Sequence, residues 1–369
     1  MKRLVLLGLV LVSACGPSAR GLSSSSSPAL PSASASPSNA GPSVGCRLPL
    51  AQAVPPPDNA HRWSVRGAFI NVPTGKLAID PNGAFAESPD GRLRSVTQPY
   101  LYGTDAGATY TRRFGRWLPA KVAVVSPDSS HYAYTQTKIQ GTSRQSRIHV
   151  VDVTSGEDRV MYEGSDAYSV ADYEAEGIYF SAATGFGDVA NGGLSLLNPS
   201  SGSVRQIAPP DQPAGALLGF YLVGGGGAWY GDVAPGDKPP HSGLGPMDRL
   251  LRLDLKTRKA TEWFRREGWQ VQAIGFDGDG RPVVRANSGD GYTTSLVQLW
   301  LVTAPGVAKQ IYPGSGTGSP VALTGFLTAP LADAHGLWFG TSDGIFLYKP
   351  DGTFEKISTA GGEIAGRCS

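Results

Sequence analysis

The sequence predicts an all-β chain folded as a single β-propeller of seven, or alternatively six, four-stranded antiparallel blades. Three observations carry that prediction. Alternating apolar strands joined by polar turns recur about every 46–56 residues, the mark of a repeat architecture. The turns hold Gly, Asp, Asn or Pro where a tight hairpin needs them, as in Thr154-Ser155-Gly156, Asn198-Pro199 and Pro350-Asp351-Gly352. Almost no segment shows the 3.6-residue period of a helix.

The chain opens with Lys2 and Arg3, an apolar run from Leu4 to Val12, and Val12-Ser13-Ala14-Cys15. A basic start, an apolar stretch too short to span a bilayer and small residues before the cut describe an export signal. The last four residues resemble the lipobox of bacterial lipoproteins, with Val12 where leucine is commoner. That resemblance implies removal of residues 1–14, a diacylglycerol thioether on Cys15 and retention at the extracytoplasmic face of a bacterial membrane. Residues 15–45 are almost entirely Ser, Pro, Ala and Gly, too poor in apolar surface to offset ordering entropy, and read as a disordered tether.

Residues 46–369 hold the predicted propeller domain. Its inner-to-outer strands are a, b, c and d. The c–d hairpins are Arg147–Val153 with Arg159–Tyr162, Leu194–Leu197 with Val204–Ile207, and Leu250–Leu255 with Thr261–Phe264. Leu299–Val302 and Ile345–Tyr348 begin two more. The b strands before them contain Tyr132–Tyr134, Ile178–Phe180, Ala228–Tyr230, Pro282–Val284 and Leu337–Phe339, and Val122–Val125 reads as an a strand. Five blades fill residues 121–358. A compact blade fits 84–120, and the strands around Gly67–Ile70 and Lys76–Asp80 supply part of a seventh or an added strand. These units resemble TolB-like and WD40-like propeller blades, and Gly336–Ile345 resembles repeats of bacterial sensor ectodomains and streptogramin-lyase-like proteins. The resemblance implies a fold more than an activity.

With Cys15 lipidated, Cys46 and Cys368 remain, one at each end of the folded region; in an oxidising compartment the pair reads as a disulfide that clasps the ring. No histidine neighbours either cysteine in sequence. Thirty-two Lys and Arg against 30 Asp and Glu leave a net charge of +2, which argues against a nucleic-acid partner. The domain is expected to be monomeric, with its membrane attachment through Cys15.

In a propeller the a–b and c–d turns share one face and the b–c and d–a connections share the other. The first set is short here and the second long: 136–146, 184–193, 232–248 and 287–294 for b–c, 209–218 and 313–324 for d–a. A site is therefore expected on the b–c/d–a face. Arg144, Arg147, Asp188, Asn191, Asp232, Asp237, His241, Asn287, Asp290 and Tyr292 populate it, with Trp269 as a ligand platform. His241 is the nearest thing to a catalytic acid–base group. Asp277-Gly278-Asp279-Gly280 lacks the later acids of a calcium loop and aligns with the other a–b turns. The histidines show no metal-ligand spacing, and neither metal nor cofactor is expected. The leading expectation is a binding module for a glycan, peptide or protein. The alternatives are a streptogramin-lyase-like propeller enzyme, whose paired histidines are not matched here, and a structural part in an envelope complex.

Overall fold

The computed structural model describes residues 45–54, 64–87, 93–95, 102–103, 107–140, 143–183, 193–208, 222–232, 247–288, 296–314, 323 and 327–369. The strands alternate inward and outward residues and form a ring of six sheets with one small hairpin packed beside the first. The count is six blades, the lower of the two expected.

Blades three to six each have four strands in the order a-b-c-d: residues 167–208, 222–265, 269–312 and 331–358. Every pairing is antiparallel; Glu174–Gly177 and Thr341–Gly344 close on four-residue turns, whereas Asp232 to Arg249 and Asn287 to Val297 are joined by long connections. The second blade has three full strands, His131–Gln140, Ser143–Asp152 and Asp158–Gly164. Its expected a strand forms a 3-10 turn at Val122–Val124 and a single bridge, Val125 to Tyr132. Ser126 explains the short ladder: its N–H donates to His131 O at 2.9 Å and its hydroxyl accepts from His131 N–H at 2.9 Å, closing the hairpin one residue after Val125.

Among the described residues no seventh blade forms, for a packing reason. Lys76–Glu87, Leu93–Ser95 and Tyr102–Gly103 continue the first sheet outward, giving it six strands. Thr109–Thr111 and Arg116–Leu118 form a separate hairpin whose Trp117 lies flat on that sheet. Gly67 and Gly83 make room for the indole; a Cβ on Gly67 would come within 2.6 Å of it. Phe69, Tyr110 and Trp117 then pack ring to ring at 5.0–5.5 Å.

The ring closes on that first sheet. Glu363–Ile364 pairs with Leu50 and Ala51 of Cys46–Val54, and backbone bonds continue through Ala365 to Pro49 and Ser369 to Arg47. Cys46 and Cys368 are disulfide-bonded with Cα atoms 5.5 Å apart, so the expected clasp exists. Seven clusters of buried apolar side chains lie mainly between blades, such as Val283, Leu299 and Tyr312 of the fifth against Leu337, Phe339 and Phe346 of the sixth. Burial of this kind, at about 25 cal/mol per Å², is the chief force holding blade to blade. Each c–d turn also docks on the preceding blade's outer strand: Gly306 N–H donates to Trp263 O at 2.9 Å, and Ser358 Oγ donates to Gly75 O at 2.7 Å. Gly75 has φ +68°, and a Cβ there would lie 2.2 Å from Ile357 O.

Candidate functional site

The first strands of consecutive blades touch one another, which places them around the channel. The short turns and the connections therefore lie on opposite faces, and the two faces differ in chemistry.

On the turn face, an Asp or Asn in several of the turns absorbs the free backbone donors. Asp152 Oδ1 accepts from the N–H groups of Thr154 and Ser155 at 2.9 and 2.6 Å. Asn198 does the same for Ser200 and Ser201, Asp254 for Lys256 and Thr257, and Asp277 for Asp279 and Arg281. Such bonds favour the charged carboxylate. The Ser130 hydroxyl, with further donors from Ser130 N–H and Ser126, holds Asp128 at about 2, and the N–H of Ser155 lowers Asp152. Arg281 neutralises both acids of the 277–280 turn, at 2.6 Å from Asp277 and 2.7 Å from Asp279. The closing disulfide lies on this face too. Asp333 Oδ2 accepts from Cys368 N–H at 2.9 Å and Trp338 Nε1 at 2.8 Å, and His335 Nδ1 lies 3.2 Å from Asp333 Oδ1. The sequence spacing puts no histidine beside the cysteines, but the fold does: ligand atoms of Cys46, Cys368 and His335 lie within 4.8 Å of one another. The two sulfurs are bonded to each other and offer no thiolate pair.

On the connection face, charge is buried instead. Asp232, 1 % exposed at the end of a b strand, pairs with Arg249 at 2.6 Å, and Arg249 reaches Glu262 at 3.5 Å. Asp248 is also buried and takes Arg265 Nε at 3.3 Å. These pairs flank the long connection 233–246. Arg266 stacks over Trp269 at 4.2 Å and reaches Trp300 at 5.4 Å. In the fifth blade, Arg285 and Asn287 project from one side of the b strand Pro282–Ser288, paired with Gln272 and Gln270 of the innermost strand. Arg285 Nη2 donates to Gln272 Oε1 at 2.7 Å. Burial lowers the Arg285 pKa, and no carboxylate pairs with it among the described residues. Four polar atoms of this region are buried without a hydrogen-bond partner: Asp248 Oδ1, Arg266 Nε, Arg285 Nε and Asn287 Oδ1. Unpaired buried polar atoms are costly and uncommon; Thr111 Oγ1, Arg116 Nε and His149 Nε2 are others, and the four here fall within two adjacent blades.

Among the described residues, clefts open between blades. One of ≈ 480 Å³ lies at the ring closure, lined by Gln52, Val54, Thr328, Thr341, Ser342 and Glu363. Another, of ≈ 380 Å³, is walled by Trp263, Trp300, Arg265 and Arg266. On the innermost strand of the third blade, burial, with Glu174 beside it, pushes the Asp172 carboxyl up to about 8.

The sequence-predicted residues divide clearly. Asp232 is committed to Arg249, and Trp269 opens an inner strand under Arg266. Asn287 belongs to a strand rather than a loop. The expected loop 136–146 is mostly a long hairpin paired out to Gln140 and Ser143, a correction that follows from ten-residue strands meeting at a short reversal. Arg144 and Arg147 lie in its second strand, and Arg147 pairs with Glu163 at 2.7 Å. Asp188, Asn191, Asp237, His241, Asp290, Tyr292 and Cys15 lie outside the described residues, as do the connections 209–221 and 315–322. Among the described histidines, His131 and His335 stand at a–b turns and His149 within a strand, as expected. Sequence reading missed Arg249, Asp248, Arg265, Arg266 and Arg285. A signal existed for Arg285: two-residue alternation puts it on the same side of its strand as Asn287.

Neither a protein-family model nor a curated protein matches this chain. Among solved structures it is similar to an oligogalacturonate lyase from Vibrio parahaemolyticus, at 12% identity and TM-score 0.47, over 86% of this chain and 91% of that one. It is also similar to TolB from Acinetobacter baumannii, at 10% identity and TM-score 0.41, over 86% and 81%. A third is the acylaminoacyl peptidase of Pyrococcus horikoshii, at 11% identity and TM-score 0.46, over 86% and 47%.

Proposed function

We propose that this protein is a lipid-anchored extracytoplasmic propeller that binds a glycan, peptide or protein through its b–c/d–a face. The observation that carries the reading is the cluster of unpartnered buried polar atoms at Asp248, Arg266, Arg285 and Asn287, beside the half-buried Trp269. Unpaired buried donors and acceptors of this kind gain most from a ligand that completes them. The cysteine pair closed as a disulfide supports an oxidising, exported location. The Val12-Ser13-Ala14-Cys15 sequence and the polar tether behind it support the anchor.

Two measurements test this reading. Replacing Cys15→Ser is expected to move the protein from the detergent phase to the aqueous phase in a detergent-partition assay of expressing cells; unchanged partition would remove the anchor. A thermal-shift screen against sugars and peptides is expected to find a stabilising ligand whose effect disappears in Trp269→Ala. A ligand whose stabilisation survives that change would place the site elsewhere.

A further inference from the structure

Resting on the binding-face reading above, we propose that Arg285 and Asn287 form a subsite for a carboxylate that carries a hydrogen-bond donor next to it. The ligand class follows from what each side chain lacks. Arg285 is a fixed cation whose Nε–H is buried with no acceptor, and its one hydrogen bond goes to a neutral amide, Gln272. Arg285 as a whole is half-buried and its bond to Gln272 is exposed, so solvent reaches the guanidinium but not its Nε–H; among the described residues no carboxylate pairs with this cation, which leaves it to be completed from outside. The connection to the sixth blade, residues 313–330, contains no acid, and Asp290, in the connection that follows Ser288, lies outside the described residues. A guanidinium offers a planar fork of donors, which matches the two oxygens of a carboxylate.

Asn287 narrows the class further. Two residues along the same strand, its Cα is about 7 Å from that of Arg285. Its buried Oδ1 is an acceptor without a donor. A bare anion would satisfy Arg285 but leave Asn287 unpaired; a neutral sugar would do the reverse. A carboxylate flanked by O–H or N–H satisfies both. Gln272 is exposed on the innermost strand opposite Arg285, and Gln270, half-buried, stands opposite Asn287. Two sources share this chemistry, an acidic sugar with its ring hydroxyls and a peptide terminus with its amide N–H.

The test is calorimetric titration of the full chain with D-glucuronate and with N-acetylalanine, using D-glucose as the neutral control. At least one of the two carboxylates is expected to bind, with glucose ~10-fold weaker or more, and Arg285→Gln is expected to weaken that binding by at least ~10-fold. Asn287→Asp, which places a second negative charge there, is expected to weaken it as well. Binding of glucuronate alone assigns an acidic sugar, and binding of N-acetylalanine alone assigns a peptide terminus. If neither carboxylate binds, or if Arg285→Gln changes nothing, the subsite is wrong. A neutral ligand lost in Trp269→Ala but indifferent to Arg285→Gln would sink the subsite while leaving the binding face standing. Should Arg285→Gln not fold, Arg285→Lys keeps the charge and removes the fork.

Discussion

The two faces of this propeller solve the same problem in opposite ways. Both must satisfy polar groups where strands end. The turn face does so locally, with Asp128, Asp152, Asn198, Asp254 and Asp277 each accepting from donors within a few residues. The connection face does so over longer range, through Asp232–Arg249–Glu262 and Asp248–Arg265, and stops short of completion at Asp248, Arg266, Arg285 and Asn287. Local satisfaction makes a face rigid and indifferent to ligands. Incomplete satisfaction over long range leaves a face that gains from a ligand.

The largest expected effect sharpens the contrast by attacking the turn face alone. Cys46→Ser with Cys368→Ser opens a loop of 322 residues and should lower stability by on the order of 5 kcal/mol by loop-closure entropy. Because the disulfide sits with Asp333, His335 and Trp338 on the turn face, ligand affinity measured well below the new Tm should be unchanged. A lost affinity in folded protein would show that the faces are coupled.

Next in size is the buried pair of the connection face. Asp232→Asn leaves Arg249 without its closest carboxylate and should cost about 3 kcal/mol in denaturant unfolding. A cost near that of a surface ion pair, under about 1 kcal/mol, would mean that the pair is solvated and this part of the face is open to water.

The smallest effect concerns an exception on the turn side. Asp172 lies in the third blade's inner strand near the turn formed by Glu174–Gly177, and accepts one bond, from Tyr173 N–H at 2.8 Å. Its folded pKa of about 8 exceeds the ordinary 3.8, so the folded state binds the extra proton between those values. Stability therefore falls as pH rises through that window. Asp172→Asn should raise Tm by a few degrees at pH 9 and leave it unchanged at pH 3. An equal effect at both pH values would contradict the buried-acid account.

Much of the fold was legible because it depends on short-range pattern. Strands such as Leu250–Leu255 and Ile345–Tyr348 alternate clearly, and their turns carry the Asx residues that satisfy them. The blade count was not legible, because it rests on Trp117 settling over Gly67 and Gly83, a contact between residues distant in sequence. The a strand of the second blade also escaped, since Val122–Val125 is apolar enough for a strand and only the Ser126–His131 bonds shorten it. For the site, the face was readable from connection length. Its chemistry was not: Arg249, Arg265 and Arg285 look like ordinary strand charges until the fold shows which have carboxylates and which do not.

The most direct test compares matched substitutions on the two faces, read as affinity for the ligand that most stabilises the protein in the thermal-shift screen. Trp269→Ala and Asp248→Asn represent the connection face; Asp254→Ala and Asp351→Ala represent the turn face. The first pair is expected to weaken binding by at least ~10-fold and the second to leave it within about twofold, each change removing interactions of roughly 1 kcal/mol or more. Binding that survives the first pair and fails with the second would contradict that expectation.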